Sequence, residues 1–466
     1  MMLWNRRRKK MEQQIFEIEQ QVSELKQYIS ELKSGLDAEK EDLKNKFEEN
    51  VKKISDLSNG VTYCGNVLAD HAYQLQQLSN ETTKILHYDS HAEIKLKYLL
   101  EKEKPVRPRK IVQVVLDLRY GDAIGNDIIA IHRTLKKWGY DAEIYAEHVH
   151  DRVQESAGQF AEMPGLTEED ILLFHFGGYC DFADLFEEYE CKKVLVYHNI
   201  TPAEFFEPGS QMEEDAKKGR VQLRQMWDKV DFCIADSEFN KQELEELGFQ
   251  CPIYVLPILL PFTEYQILGD KKILEGLEGY TNILHVGRIV PNKKIEDIIE
   301  AFSVYHKKNP HSYLTLAGGY AETDSYYQKL QNKIKEEKIE NVFFTGHICF
   351  EELIAYYRSA DVYLCLSEHE GFCVPLLEAS FFEIPIIAYD AGAVPGTLDG
   401  AGVLLEDKAP ERVADEIDRI LNDENWKRQL IDGEKVRLAF FSEQNVQGQL
   451  ENIVKKIDSI AKKEKK

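Results

Sequence analysis

From residue 111 onward, short apolar runs alternate with amphipathic helical stretches, and the alternation occurs twice. The first series has strand candidates at 111–118, 142–146, 171–176, 194–198, 232–235 and 253–256, with helical stretches such as 124–138 and 238–247 between them. The pattern breaks around Pro257, Pro261 and 269–279, and a second series runs through 282–286, 313–317, 342–345, 362–366 and 386–388. Runs this short and apolar, separated by helices, require parallel strands covered on both faces. The expected class is α/β: one doubly wound domain over 105–262, a second over 281–439, and a cleft between the carboxyl ends of their sheets. The tail from Glu443 is helical again, and the helix 440–466 is expected to pack back onto the first domain.

Residues 1–104 differ in kind. They are rich in Glu, Lys, Gln and Leu and contain no proline before Pro105, which with Pro108 marks a linker. Ile15, Ile18, Val22, Leu25, Ile29, Leu32 and Leu36 alternate steps of three and four, the seam of a left-handed coiled coil. The segment is therefore expected to be a helical coiled-coil stalk that makes the chain a homo-oligomer, with dimer and trimer both open. A single amphipathic helix packed on the downstream domain is the alternative. Five consecutive basic residues, Arg6 to Lys10, fit either a peripheral hold on anionic membrane or a solubilising terminus.

A net charge of −24 repels phosphate backbones, so no nucleic-acid partner is expected. Cysteines at 64, 180, 191, 233, 251, 349, 365 and 373 form no CxxC pair and have no histidine at zinc spacing, so they are read as reduced apolar fillers. No apolar run reaches the about 20 residues of a membrane span. The basic cluster is followed by Met-Glu-Gln-Gln rather than an apolar signal core, so the expected location is cytoplasmic.

Candidate chemistry sits at the strand ends. Gly287-Arg288-Ile289-Val290-Pro291-Asn292-Lys293 follows the first strand of the second domain and offers a guanidinium and an ammonium, a pair suited to a diphosphate. Glu368-His369-Glu370-Gly371-Phe372-Cys373-Val374-Pro375 runs from a strand into a helix. Gly371 is read as permitting a tight turn, and the amides around Phe372 and Cys373 as an anion-accepting helix start. Glu370 and Glu378 place one carboxylate on the loop and one about two turns into the helix. In the first domain, Gly121-Asp122-Ala123-Ile124-Gly125-Asn126-Asp127 makes a glycine turn into a helix. His175 and His198 end consecutive strands and are expected to face the cleft. No metal-binding carboxylate cluster is evident.

These residues resemble glycosyltransferase family 4, the retaining GT-B group with two Rossmann-like domains. The resemblance covers about 110–460. It is strongest over 283–405, where Gly287-Arg288 with Lys293, Ala317-Gly318-Gly319, Phe344-Thr345-Gly346, Ser359-Ala360-Asp361 and Glu370-Gly371-Phe372 through Glu378 fall in the family's order. It implies that Arg288 and Lys293 neutralise the diphosphate of a nucleotide-sugar donor, Glu378 holds the ribose and Glu370 contacts the sugar. It also implies that Gly125 lies against the phosphate and His175 beside the reacting sugar. Gly371, Phe372 and Cys373 then belong to the donor loop, and Asn126 and His198 fall on the acceptor side without an assigned role. The turns around Gly121 and His198 are similar to those of bacterial enzymes that add mannose or related sugars to surface polysaccharide.

The expectation is a retaining hexosyltransferase that uses no metal and no organic cofactor, with a glycan or lipid-linked acceptor. A noncatalytic coiled-coil scaffold carrying a sugar-nucleotide-binding module is the alternative. Two departures from the family stand out. Cys373 occupies a position where a small residue is common, and the loop Ala391-Gly392-Ala393-Val394-Pro395-Gly396-Thr397 lacks the acidic residue usual after its proline.

Overall fold

A computed structural model describes residues 109–119 and 121–459. The coiled-coil seam, the Arg6 to Lys10 cluster and Cys64 lie outside the described residues.

Among the described residues, seven strands form the first sheet: β1 (Lys110–Leu118), β2 (Asp141–Val149), β3 (Gly158–Gln159), β4 (Ile171–Phe176), β5 (Lys192–Tyr197), β6 (Phe232–Ala235) and β7 (Ile253–Val255). Their order is β3-β2-β1-β4-β5-β6-β7, all parallel. Every residue of β4 is buried, as a central strand with both faces covered requires. In β1, Val112 and Val114 join one hydrophobic layer and Ile111 the opposite one, the two-residue period of a strand between helices.

The second sheet contains β8 (Thr281–Val286), β9 (Ser312–Ala317), β10 (Val342–Gly346), β11 (Val362–Cys365), β12 (Ile386–Tyr389) and β13 (Val403–Leu405), in the order β10-β9-β8-β11-β12-β13. Here Ile283 and Leu284 face opposite layers. Strand order reverses direction at β1/β4 and at β8/β11, and the crevices outside the carboxyl ends of those pairs are where such sheets hold ligands.

After the helix Glu424–Phe440, the helix Glu443–Ser459 returns to the first domain. Val446, Leu450, Ile453, Val454 and Ile457 enter the layer that contains Ile111, Ile131 and Leu173. Burying five such side chains contributes on the order of 10 kcal/mol before conformational entropy is charged. Lys192 Nζ donates to the Ile457 and Asp458 carbonyls at 3.0 and 3.1 Å, satisfying the helix end. Ile258, Leu260, Phe372, Val374, Leu377 and Phe441 form a further apolar cluster that joins the two domains. Among the described residues no helix is long and apolar enough to cross a membrane.

Candidate functional site

The β8/β11 crevice is built by close backbone contact. Gly287 N donates to Ala317 O at 2.9 Å and Ile289 N to Gly319 O at 3.1 Å. A Cβ on Gly318 would stand 1.9 Å from the Gly287 carbonyl oxygen, so the interlock of these two loops admits only glycine there. The turn Pro291–Lys293 then brings Lys293 back into the crevice, before the helix Ile295–Lys308 starts. Asn292 ties it to the neighbouring loop, accepting from Glu368 N at 2.8 Å and donating from Nδ2 to His369 O at 3.1 Å.

Lys293 Nζ lies 2.6 Å from Glu370 Oε1. Burial works against the Glu370 carboxylate, but the Lys293 ammonium, with help from Ser367, outweighs it and holds the carboxyl below its ordinary range. The same pairing overcomes the burial of Lys293 and keeps it protonated. Arg288 is exposed at the rim and makes no ion pair among the described residues.

The loop over residues 391–397 supports Glu370 through its backbone. Ala393 N donates to Glu370 O at 2.9 Å, and Thr397 Oγ1 donates to Phe372 O at 2.6 Å. Gly392 has φ +57°, and a Cβ there would lie 2.5 Å from Glu370 O. Gly371, by contrast, is not in the left-handed region, which corrects its reading as a tight-turn glycine. Its missing Cβ makes room for the first domain: a methyl there would stand 2.6 Å from Asn199 Cβ and 3.2 Å from His198 O. Ser237 Oγ donates across the same boundary to Gly371 O at 2.6 Å. Phe372 is buried against Phe441 in the interdomain cluster. Cys373, at φ +72°, opens the helix Val374–Phe381.

Glu378 is deeper in the second domain. Tyr265 OH donates to its Oε1 at 2.8 Å and Tyr357 OH to its Oε2 at 2.5 Å. Burial raises its pKa, and the two phenols oppose this only in part. A carboxylate has about four acceptor positions, so capacity for further donors remains.

In the first domain, the histidines expected to face the cleft are interior. Gln113 Nε2 donates to Ile128 O, so its Oε1 must accept from His175 Nε2 at 3.0 Å. His175 Nδ1 is then an acceptor for His198 Nε2 at 2.9 Å, and His198 Nδ1 donates to Asp236 Oδ2 at 2.9 Å. His198 thereby donates from both nitrogens and is an imidazolium. Burial opposes that charge, but Asp236 outweighs it and raises the His198 pKa, while burial and the His198 charge push His175 well down. Both ring nitrogens of His175 are committed within its own domain. Asp127 accepts from Leu259 N at 2.7 Å, and burial raises its pKa to about 7.

Gly125 is fixed by its own turn, since a Cβ there would lie 2.2 Å from Arg119 O. Asn126, half-buried, is in the first turn of the helix Ala123–Lys137. The crevice thus brings together Lys293, Glu370 and Cys373, with Arg288 on the Lys293 loop. It also brings in residues that no local sequence pattern marked: His285, Cys365 and, from the first domain, Asn199 and Ser237.

The architecture is GT-B. A sucrose-phosphate synthase from Thermosynechococcus elongatus superposes with a TM-score of 0.58 at 17% identity, over 75% of this chain and 99% of that one. The Anabaena protein HepE in complex with UDP-glucose gives 0.59 at 15% identity, over 74% and 99%. Residues 270–437 match the family described as glycosyl transferases group 1. The O-antigen chain mannosyltransferase B of Escherichia coli is 21% identical over 244 residues, 51% of this chain and 63% of that protein. A trehalose synthase of Thermococcus litoralis is 30% identical over 200 residues, 40% and 48% of the two. The chain therefore spans about half to two thirds of the length of these curated relatives.

Proposed function

We propose that this protein is a retaining glycosyltransferase of family 4, moving a hexose from a nucleotide-diphosphate sugar to a glycan or lipid-linked acceptor in polysaccharide assembly. The observation that carries the reading is the Lys293–Glu370 pair at the β8/β11 switch point, 2.6 Å apart, with the exposed Arg288 on the Lys293 loop. Lys293 and Arg288 supply positive charge where a diphosphate leaving group develops negative charge, and Glu370 supplies an acceptor for sugar hydroxyls. Glu378 takes the ribose. Charge stabilisation by these side chains lets the reaction proceed without a metal or an organic cofactor. Retention, which the resemblance implies, would follow from acceptor attack on the leaving-group face. A mannose-type sugar is favoured, in keeping with the mannosyltransferase names among the relatives.

The test is a panel of nucleotide sugars, including GDP-mannose and UDP-glucose, screened by thermal shift and then for slow hydrolysis without acceptor. A donor present at 100 times its Kd should stabilise the protein by about 2.7 kcal/mol. A folded protein stabilised by no nucleotide sugar and hydrolysing none would refute the assignment.

A further inference from the structure

Cys365 ends β11 and Cys373 opens the helix Val374–Phe381, so the two sulfurs flank the loop that carries Glu370, 3.9 Å apart. One ligand atom each from Cys365, Glu370 and Cys373 lies within 4.8 Å of the others, and all three residues are buried. The sulfur spacing separates two fates for the pair. A disulfide needs about 2.05 Å between sulfurs. Two thiolates each about 2.3 Å from a tetrahedral zinc stand roughly 3.8 Å apart, so the observed separation already suits a shared metal.

A second feature of the same wall points to a ligand. His285 Nδ1 donates to Leu364 O at 3.0 Å, which leaves a lone pair on Nε2. That nitrogen is buried without a hydrogen-bond partner among the described residues, and it lies 3.4 Å from where a Cβ on Gly287 would be, on the side that faces the Lys293 stem.

We propose that Cys365, Cys373 and Glu370 bind a thiophilic divalent cation of the zinc class, and that its occupancy excludes the nucleotide-sugar donor by engaging Glu370. The exclusion rests on the transferase reading, whereas the binding does not. Both thiols lose their protons as the metal enters, so affinity rises with pH. Two thiolates and a carboxylate carry −3, which the cation and the Lys293 ammonium together balance. Glu370 has two oxygens, and Oε1 is the one turned to Lys293.

The experiment titrates the reduced full-length chain with Cd2+, reading the ultraviolet sulfur-to-cadmium charge-transfer band, and with Zn2+ against a chromophoric chelator. The expected result is one tight equivalent that Cys365→Ser weakens at least tenfold, since disturbing outer-shell partners alone costs roughly 10–100-fold. Glu370→Gln should weaken binding yet keep the two-sulfur band. Cys233 and Cys251, with sulfurs 3.5 Å apart, belong to no three-residue ligand group among the described residues, so Cys233→Ser should change nothing. An unaltered titration in a Cys365→Ser protein with normal thermal unfolding, or no band at all, overturns the site. Zn2+ that binds through Cys365 but leaves GDP-mannose or UDP-glucose affinity unchanged overturns the exclusion alone. A Cys365-dependent band in a protein that transfers no sugar would leave the metal site standing and remove the transferase.

Discussion

His369 of the second domain donates from Nε2 to Asn199 Oδ1 of the first at 2.6 Å, while Phe205 and Phe239 flank its ring at 5.9 and 5.8 Å. The direction follows from Asn199, whose Nδ2 already donates to Asn240 Oδ1 and Glu243 Oε2, leaving Oδ1 to accept. Asn199 holds φ +71° in this contact, a backbone state that costs energy unless its surroundings fix it. The residue beside the candidate catalytic Glu370 is therefore also the grip between domains, which couples donor-loop geometry to closure of the cleft.

Replacing His369 with Ala should loosen that grip. Losing the hydrogen bond and two ring contacts removes on the order of 1–2 kcal/mol from the closed arrangement, a five- to thirtyfold shift toward separated domains. Hydrogen exchange of the amides from 199 to 206 should rise with the global unfolding temperature little changed. Unchanged exchange there would mean that Ser237 and the interdomain apolar cluster hold the closure by themselves.

Lys293 and Glu370 form a buried pair, so removing either partner alone strands a charge. Lys293→Ala and Glu370→Gln should each destabilise by about 3–5 kcal/mol, whereas the double variant should recover much of that loss. Turnover should stay low in all three. Independent, additive stability losses in a denaturant series would show that the pair is not the compensating unit.

Much of the fold was legible because parallel strands covered on both faces carry a local signal, as β4 does with six consecutive buried residues. β3, only two residues long at the sheet edge, and β13, set among glycines, gave no such signal. Glu147 and His148 let β2 run past the apolar stretch that marked it, because main-chain pairing with β1 continues to Val149. In the site, the strand ends identified Lys293 and Glu370, but the reason for Gly371 lies on Asn199, far away in sequence. The same holds for Cys365 and Cys373, whose approach depends on how the β11 loop folds back, and for the two tyrosines that reach Glu378. Imidazoles at adjacent strand ends were read as facing the cleft. The buried Gln113 and Asp236 that engage them inside the domain have no sequence pattern in common with them.

Arg288 makes no ion pair among the described residues, so Arg288→Ala should leave stability unaltered. If it acts on charge developing at the diphosphate, transition-state stabilisation should fall by on the order of 2–4 kcal/mol, read as kcat/KM for the best donor. Near-normal kcat/KM in the folded variant would remove Arg288 from the site.

The two glutamates should fail differently. Glu378→Gln should weaken binding of the free nucleoside diphosphate by about 1.5–3 kcal/mol, the range for a hydrogen bond to a charged group. Glu370→Gln should leave that affinity nearly intact and lower turnover. Tyr357→Phe, which removes only the phenol at Glu378 Oε2, should resemble a mild Glu378→Gln. Equal losses of nucleotide affinity in calorimetry for both glutamate variants would end the division of roles.

Glu434 gives a pH test independent of any reaction. Its side chain is wholly buried, Oε1 accepts from Ile386 N at 2.9 Å, Oε2 has no partner among the described residues, and burial raises its pKa to about 8. A carboxyl whose folded pKa exceeds its unfolded value binds its proton more tightly when folded. Its contribution is therefore complete below the unfolded value near 4.5 and is lost as pH climbs toward 8. Glu434→Gln keeps a neutral acceptor for Ile386 N and removes the ionisation. The wild-type protein should lose up to a few kcal/mol relative to the variant between those limits, with the difference smallest in acid. Unfolding midpoints recorded for both proteins across that range should diverge as pH rises, and parallel curves would show that Glu434 does not carry the pH dependence.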